Sequence, residues 1–278
     1  MQAQGRVDSV ADKVLSTQPV IFIGHGTPMV AIEFDSWSDN LCSFIDGNPP
    51  PTAIIVLSAH WTTDNVVKIT SNEFPEQIYD FQGYPETLYH LTYPCEGNPQ
   101  LAKDVVALLH DFSMPVQLDE ERGLDHGAWI PLYVAFPNAD VPVIQISLPN
   151  QADPKMLLDL GSALKPLRKQ GVLLIGSGNL IHNPEWVKKF DKYQDPEQWA
   201  VETDDWLHDE IVSLNIDDLI DYQNKIPHKE KALPKNNHIL PLFFVLGAIT
   251  QKDHLVDIYD GFHHANISMR SFAFISNQ

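Results

Sequence analysis

The chain has 278 residues, 44% hydrophobic and 20% charged, proportions that exclude a disordered, collagen-like or coiled-coil protein. Its 18 Lys and Arg stand against 37 Asp and Glu, a net charge of −19, and a field of that sign repels nucleic-acid phosphates and anionic membrane surfaces. The two cysteines, Cys42 and Cys95, are too few for a disulfide framework, so a reducing, cytoplasmic compartment is expected.

Residues 1–18, MQAQGRVDSVADKVLSTQ, read as a polar N-terminal extension without the apolar segment of a signal peptide. No run approaches ~18 apolar residues, so no membrane span is expected. From 19 to 278 there is no repeat, low-complexity tract or Gly/Ser linker, and one domain with long functional loops is the simpler organisation.

In chain order, the predicted strands are Val20–Ile23, Ala53–Ser58, Val66–Thr70, Val141–Ile146 and Val172–Ser177, with a weakly alternating last strand over Ile267–Ile275. Continuous apolar runs of this kind suit strands buried on both faces. The predicted helices are Pro99–His110, Pro154–Lys169 (started by Asp153-Pro154), Asp195–Ser213 and the very apolar Pro241–Ile249. Strands and helices alternate, which predicts an α/β fold with a central, mostly parallel or mixed sheet flanked by helices.

The chain carries 12 histidines. His25 follows a strand in G-H-G-T-P, His60 follows one in S-A-H-W, and His182 follows one in G-S-G-N-L-I-H-N. If these strands are parallel, the three imidazoles meet beyond their carboxyl ends, where open α/β sheets bind ligands. His126 sits in R-G-L-D-H-G-A-W, read as a polar loop, where a proton shuttle and a plain turn residue are both open. His238 opens an apolar helix in N-H-I-L-P-L, with Asn236 or Asn237 as its cap; on these residues alone a solvated helix-start histidine is the stronger reading. His90, His110, His208, His228 and His254 read as solvent-facing, and His263-His264 as either a surface turn or a pocket rim.

The histidine spacings match neither HExxH nor a cysteine-based zinc site, and the chain has no GxxxxGK[ST] or GxSxG motif. Imidazoles scattered along a chain suit a catalytic Zn, Fe, Cu or Ni held by a folded pocket.

Taken together, the motifs at His25, His60, His126, His182 and His238, with G-Y-P-E-T-L-Y and T-Y-P between them, resemble the class III extradiol aromatic ring-opening dioxygenases. That is the superfamily of the protocatechuate 4,5-dioxygenase catalytic subunit, and the sequence is most similar to its 4,5-DOPA extradiol dioxygenase branch. The resemblance runs from about Pro19 to the C-terminus, and no single motif carries it.

The resemblance implies that residues 19–278 form a catalytic domain opening a DOPA-like catechol with O2 to a muconic semialdehyde. It implies one divalent metal, Fe(II) for catalysis or Zn(II) as found in some members. His25, His60 and His238 would be its ligands. His182 would be the acid/base group or a fourth ligand, and His126 would contact the substrate hydroxyl or oxygen. The expected partners are a small catechol and O2, with a monomer or small homo-oligomer and no nucleic acid or membrane. Ring-opening enzymes typically use two histidines and one carboxylate, whereas the third position here is His238. Trp61, Phe81, Tyr84 and Trp129 are candidates for an aromatic wall, with core packing equally open to each. A zinc hydrolase and a non-catalytic zinc-binding protein are the alternative readings.

Overall fold

A computed structural model describes residues 16–183, 185 and 191–276. Most of the predicted 1–18 extension, residues 1–15, lies outside the described residues; Gln18 is buried and bonded through its N–H to the Arg168 carbonyl.

The strands are β1 (Val20–Gly24), β2 (Ala53–Thr63), β3 (Val67–Thr70), β4 (Val116–Asp119), β5 (Val143–Pro149), β6 (Val172–Gly178), β7 (Asp253–Tyr259), β8 (Phe262–His263), β9 (Ile267–Ser268) and β10 (Ser271–Ser276). The helices are α1 (Ser36–Asp46), α2 (Pro99–Leu108), α3 (His126–Ala135), α4 (Pro154–Leu164), α5 (Gln198–Val212), the short α6 (Ile216–Ile220), α7 (Tyr222–Lys225) and α8 (Lys229–Ala232), and α9 (Leu240–Gly247). Eight strands form one mixed sheet in the order β4-β3-β5-β2-β6-β1-β10-β7, and β8 pairs with β9 in a separate hairpin. The central strands β5, β2, β6 and β1 run parallel, and β10 returns antiparallel beside β1.

Alternate residues of the central strands serve two cores. Val20 and Phe22 of β1 pack with α2, α4, α5 and α9, while Ile21 and Ile23 pack with α1 and α3 on the other face. Burial on both faces is why these strands read as unbroken apolar runs.

Three sequence expectations need correction. The predicted loop around His126 is the first turn of α3, capped by Asp125, whose side chain accepts from the Ala128 N–H. This helix is buried on nearly every side, so it lacks the one-sided apolar period by which a helix is recognised. His60 does not follow its strand but lies within it: between Leu57↔Ile146 and Thr62↔Leu148, β2 advances five residues while β5 advances two. That bulge takes the 58–61 stretch out of the ladder with β5, while Ser58 still pairs with Ser177 of β6, a common device beside active sites. Neither Asn236 nor Asn237 caps α9, whose cap position is Ile239 with no side-chain bond; Asn237 Nδ2 donates instead to the Ala59 carbonyl at 3.4 Å. Among the described residues no helix is long and apolar enough to cross a membrane.

Candidate active site

Because β1, β2 and β6 are parallel, their carboxyl ends share one sheet edge. His25 leaves β1 there, with its N–H bonded to the Gly178 carbonyl at the end of β6. His60 stands on the β2 bulge, and His182 follows β6 by four residues. His238 arrives from the segment before α9. Its carbonyl accepts from the Asn179 N–H at 3.0 Å, and a Cβ at residue 178 would sit 2.1 Å from that carbonyl oxygen. Only glycine at 178 lets this backbone come so close. His238 is therefore 5% exposed, and the solvated reading of its sequence context is overturned.

The five rings cluster together, and four of them line one cavity. His25 and His60 approach with Nε2 atoms 3.2 Å apart. Ring centroids lie 5.5 Å apart for His25–His238, 4.9 Å for His60–His238 and 3.9 Å for His60–His126. His182 stacks on His238 at 3.5 Å with the planes 6° apart. The cavity, of about 200 Å³, is lined by His25, His60, His126 and His182, with Thr27, Phe81, Tyr84 and Ile267 among its walls. Of the predicted aromatic wall, Phe81 and Tyr84 line it. Trp129 is core, its indole N–H donating to the Ile78 carbonyl, and Trp61 is buried beneath the Arg122 guanidinium.

Hydrogen bonds around the rings settle one tautomer. The Ser177 hydroxyl gives its single proton to the Gly127 carbonyl. It can then only accept from His25 Nδ1, 2.9 Å away, so that nitrogen carries the proton and Nε2 keeps its lone pair for the cavity. The β2 bulge is tied down by Ser58, which donates to Asp125 at 2.7 Å and accepts from the His60 N–H. Burial raises the Asp125 carboxyl against the opposing bonds from Ser58 and Gln145.

The electrostatics favour neutral rings. Burial, reinforced by the neighbouring imidazoles, lowers His25, His60 and His238 well below the ordinary histidine value. Burial and His126 bring His182 to about 4. Neutral imidazole is the form that binds a metal.

Among the described residues two sets of side chains could each hold a cation, their ligand atoms lying within 4.8 Å of one another: His25, His60 and His238, and His60, Asp80 and His126. In the second set Asp80 is already engaged, accepting from the ring and the backbone N–H of His126. In the first, both nitrogens of His238 are buried without a partner. An unpaired buried polar group costs about 1–3 kcal/mol, and a cation among three converging lone pairs removes that cost. The first set therefore fits a divalent metal. Sequence reading missed Asp80, Ser177 and Ser58. Asp80 lies 46 positions from His126 and has no local signal; Ser177 is the last residue of the predicted strand Val172–Ser177, and nothing local marks it as a partner of His25.

The remaining histidines divide. His90, His110, His228 and His254 are exposed as expected, His228 beside Glu202, but His208 is half-buried near Asp257. His264 is in the β8–β9 turn, and His263 is buried beside it with Nε2 3.0 Å from Asp35 Oδ2. Burial lowers His263 to about 4 despite Asp35, whose charge is shared with Lys192 at 2.9 Å. His263 is thus neutral when folded and ordinary, near ~6.5, when unfolded. Between those values the unfolded chain binds the extra proton, so acid removes stability at about 1.4 kcal/mol per pH unit. Denaturant titrations of wild type and His263→Gln at pH 6.5 and pH 5 are expected to show wild type losing about 2 kcal/mol more than the variant over that interval.

With the geometry in place, the protein class follows. Residues 20–270 match the family model described as the catalytic LigB subunit of aromatic ring-opening dioxygenase, and the chain belongs to that family, an enzyme family of extradiol ring cleavage. It is 36% identical over 268 residues to a 4,5-DOPA dioxygenase extradiol of Beta vulgaris, covering 92% of this chain and 96% of the relative. It is 33% identical over 267 residues to one from Escherichia coli K12, covering 94% and 97%. A solved structure, uncharacterized protein JW3007 from Escherichia coli K12, superposes with a TM-score of 0.78 at 30% identity, covering 92% of this chain and 99% of that one.

Proposed function

We propose that this enzyme opens a single-ring, DOPA-like catechol with O2 to a muconic semialdehyde, with one divalent cation held by His25, His60 and His238. The observation that carries the reading is His238, with both nitrogens buried and unpartnered beside His25 and His60. The cavity of about 200 Å³ is below the ~300–1,000 Å³ of pockets for drug-sized ligands, which supports a one-ring substrate. The substrate named for the relatives, DOPA, is of that size class.

When bound, Fe(II) would supply Lewis acidity toward the two catechol oxygens and the one-electron chemistry that O2 requires. Three neutral ligands leave more positive charge on the metal than a set with a carboxylate, which also suits retention of Zn(II). His182, neutral and cavity-facing, takes the proton a catechol hydroxyl releases on binding. Its parallel stack on His238, outside the convergent ligand set, supports acid/base work over a fourth ligand. His126 faces the same space and serves the later proton transfers, while Phe81 and Tyr84 hold the ring and exclude water.

The test is anaerobic loading with Fe(II), then DOPA and O2. One O2 consumed per catechol, with a yellow product, is expected. Ester or amide hydrolysis without O2 uptake supports the zinc-hydrolase reading, and stable zinc with neither activity supports a binding protein. His126→Gln is expected to keep its metal and lose about 10²- to 10⁴-fold in kcat, the ordinary worth of a general acid/base.

A further inference from the structure

Asp80 lies in the segment between β3 and α2, next to the cavity residue Phe81. Its Oδ1 accepts two bonds from one residue: the backbone N–H of His126 at 3.0 Å and ring nitrogen Nδ1 at 2.8 Å. The first seats the carboxylate on the N-terminus of α3, where a negative charge is favoured. The second decides a tautomer. An ionised carboxylate only accepts, so the His126 proton is on Nδ1 and the other nitrogen, Nε2, carries the lone pair. Burial raises the Asp80 carboxyl, but the ring and backbone bonds from His126 lower it and keep it ionised.

The ring has little other room. His60 lies against it at 3.9 Å and Phe81 at 5.6 Å between centroids. A Cβ at neighbouring Gly127 would be 2.7 Å from the His60 ring and 2.5 Å from Ser58 Oγ. The start of α3 is thus seated directly on the ligand-bearing bulge, and Asp80 holds it through the backbone and ring N–H of His126.

We propose that Asp80 is a positioning residue for the ring-opening reaction, holding His126 as the Nδ1–H tautomer with Nε2 available to the cavity. This rests on the reading of His126 as a proton-transfer group. With Asp80 in place, Nε2 takes up and returns the proton while Nδ1–H stays on the carboxylate. Without it, the neutral ring can carry its proton on either nitrogen, and a share of molecules presents the wrong one, as with other orienting carboxylates.

The experiment has two arms. In the first, metal-free protein labelled with ¹⁵N-histidine is examined by long-range ¹H–¹⁵N correlation. His126 is expected as Nδ1–H in wild type, and as a mixture or Nε2–H in Asp80→Ala. In the second, Fe(II)-loaded enzyme is assayed with DOPA. Asp80→Ala is expected to keep its metal and a KM within about threefold while kcat falls about 100-fold. Formate, entering the space of the 26%-exposed Asp80 side chain, restores about tenfold, and does nothing for His126→Gln. The double variant Asp80→Ala/His126→Gln is no slower than His126→Gln alone. Asp80→Leu, close in size and without an acceptor, replaces the alanine variant if that one does not fold.

An unchanged tautomer in the variant, multiplicative losses in the double variant, or loss of metal with Asp80 overturns the proposal; the last would make Asp80 a ligand. If no form opens a catechol, the functional reading fails, while the NMR comparison still decides what Asp80 does to His126.

Discussion

His238→Ala is expected to lose metal and turnover together. Supporting groups around metal ligands are typically worth 10–100-fold in affinity or activity, and a ligand should exceed them, so we expect at least a ~10³-fold fall in both. The informative companion is the stability of the metal-free chain. The substitution removes packing but also deletes two buried nitrogens that have no partner. The cavity cost and the relief of unpaired polar atoms oppose each other, so Tm of the metal-free protein should move by only a few degrees. A residue kept for the fold would show the opposite pattern, intact metal and a large loss of Tm. His60→Ala should behave alike in metal content, and elemental analysis of both variants checks the result. A full metal equivalent in either one removes that residue from the ligand set.

The largest effect on stability is expected far from the site, at Arg168. Its five N–H groups are all used: Nε donates to the Gln18 carbonyl, Nη1 to the Ala248 carbonyl and Asp253, and Nη2 to Asp253 and the Phe274 carbonyl. The guanidinium and the Asp253 carboxylate are both essentially without solvent contact. Arg168→Met leaves that carboxylate buried with only the Thr250 N–H and no countercharge, a loss of about 3–5 kcal/mol. For a chain of this size that is roughly 10 °C in Tm. Lysine should not rescue, since one ammonium cannot reach five acceptors in a fork. Arg168 joins the amino-terminal ends of β1, β6 and β7, across the sheet from the histidines. Metal-loaded molecules that remain folded should therefore keep wild-type kcat. Chemical denaturation with activity measured per bound metal checks both halves.

The central strands were legible in the sequence because burial on both faces leaves no polar position to interrupt them. The edges were not. β4 (VQLD) and β7 (DHLVDIY) are half-exposed, so polar residues break the pattern, and only the partner strand explains them. Helix α3 hid for the reverse reason: with His126 at its start, Pro131 inside and apolar residues all round, it has no face to recognise. At the site, His25, His60 and His182 were legible from their place after apolar runs. His238 was misleading, because its neighbours Asn236 and Asn237 suggest solvent. Its burial depends on Gly178 admitting its carbonyl, a contact between residues 60 positions apart. Asp80 and Ser177 act by orienting other rings, and such roles have no sequence period.

The central claim is that three rings from distant stretches hold one cation. Its most direct test is an anaerobic titration of the metal-free chain with Zn(II) or Fe(II), followed by the ring ¹⁵N resonances of its histidines. The account predicts saturation at one equivalent, with the Nε2 signal of His25 and ring signals of His60 and His238 shifting together while Nδ1 of His25 keeps its proton on Ser177. Saturation that leaves those three rings unshifted, or no binding at all, contradicts it.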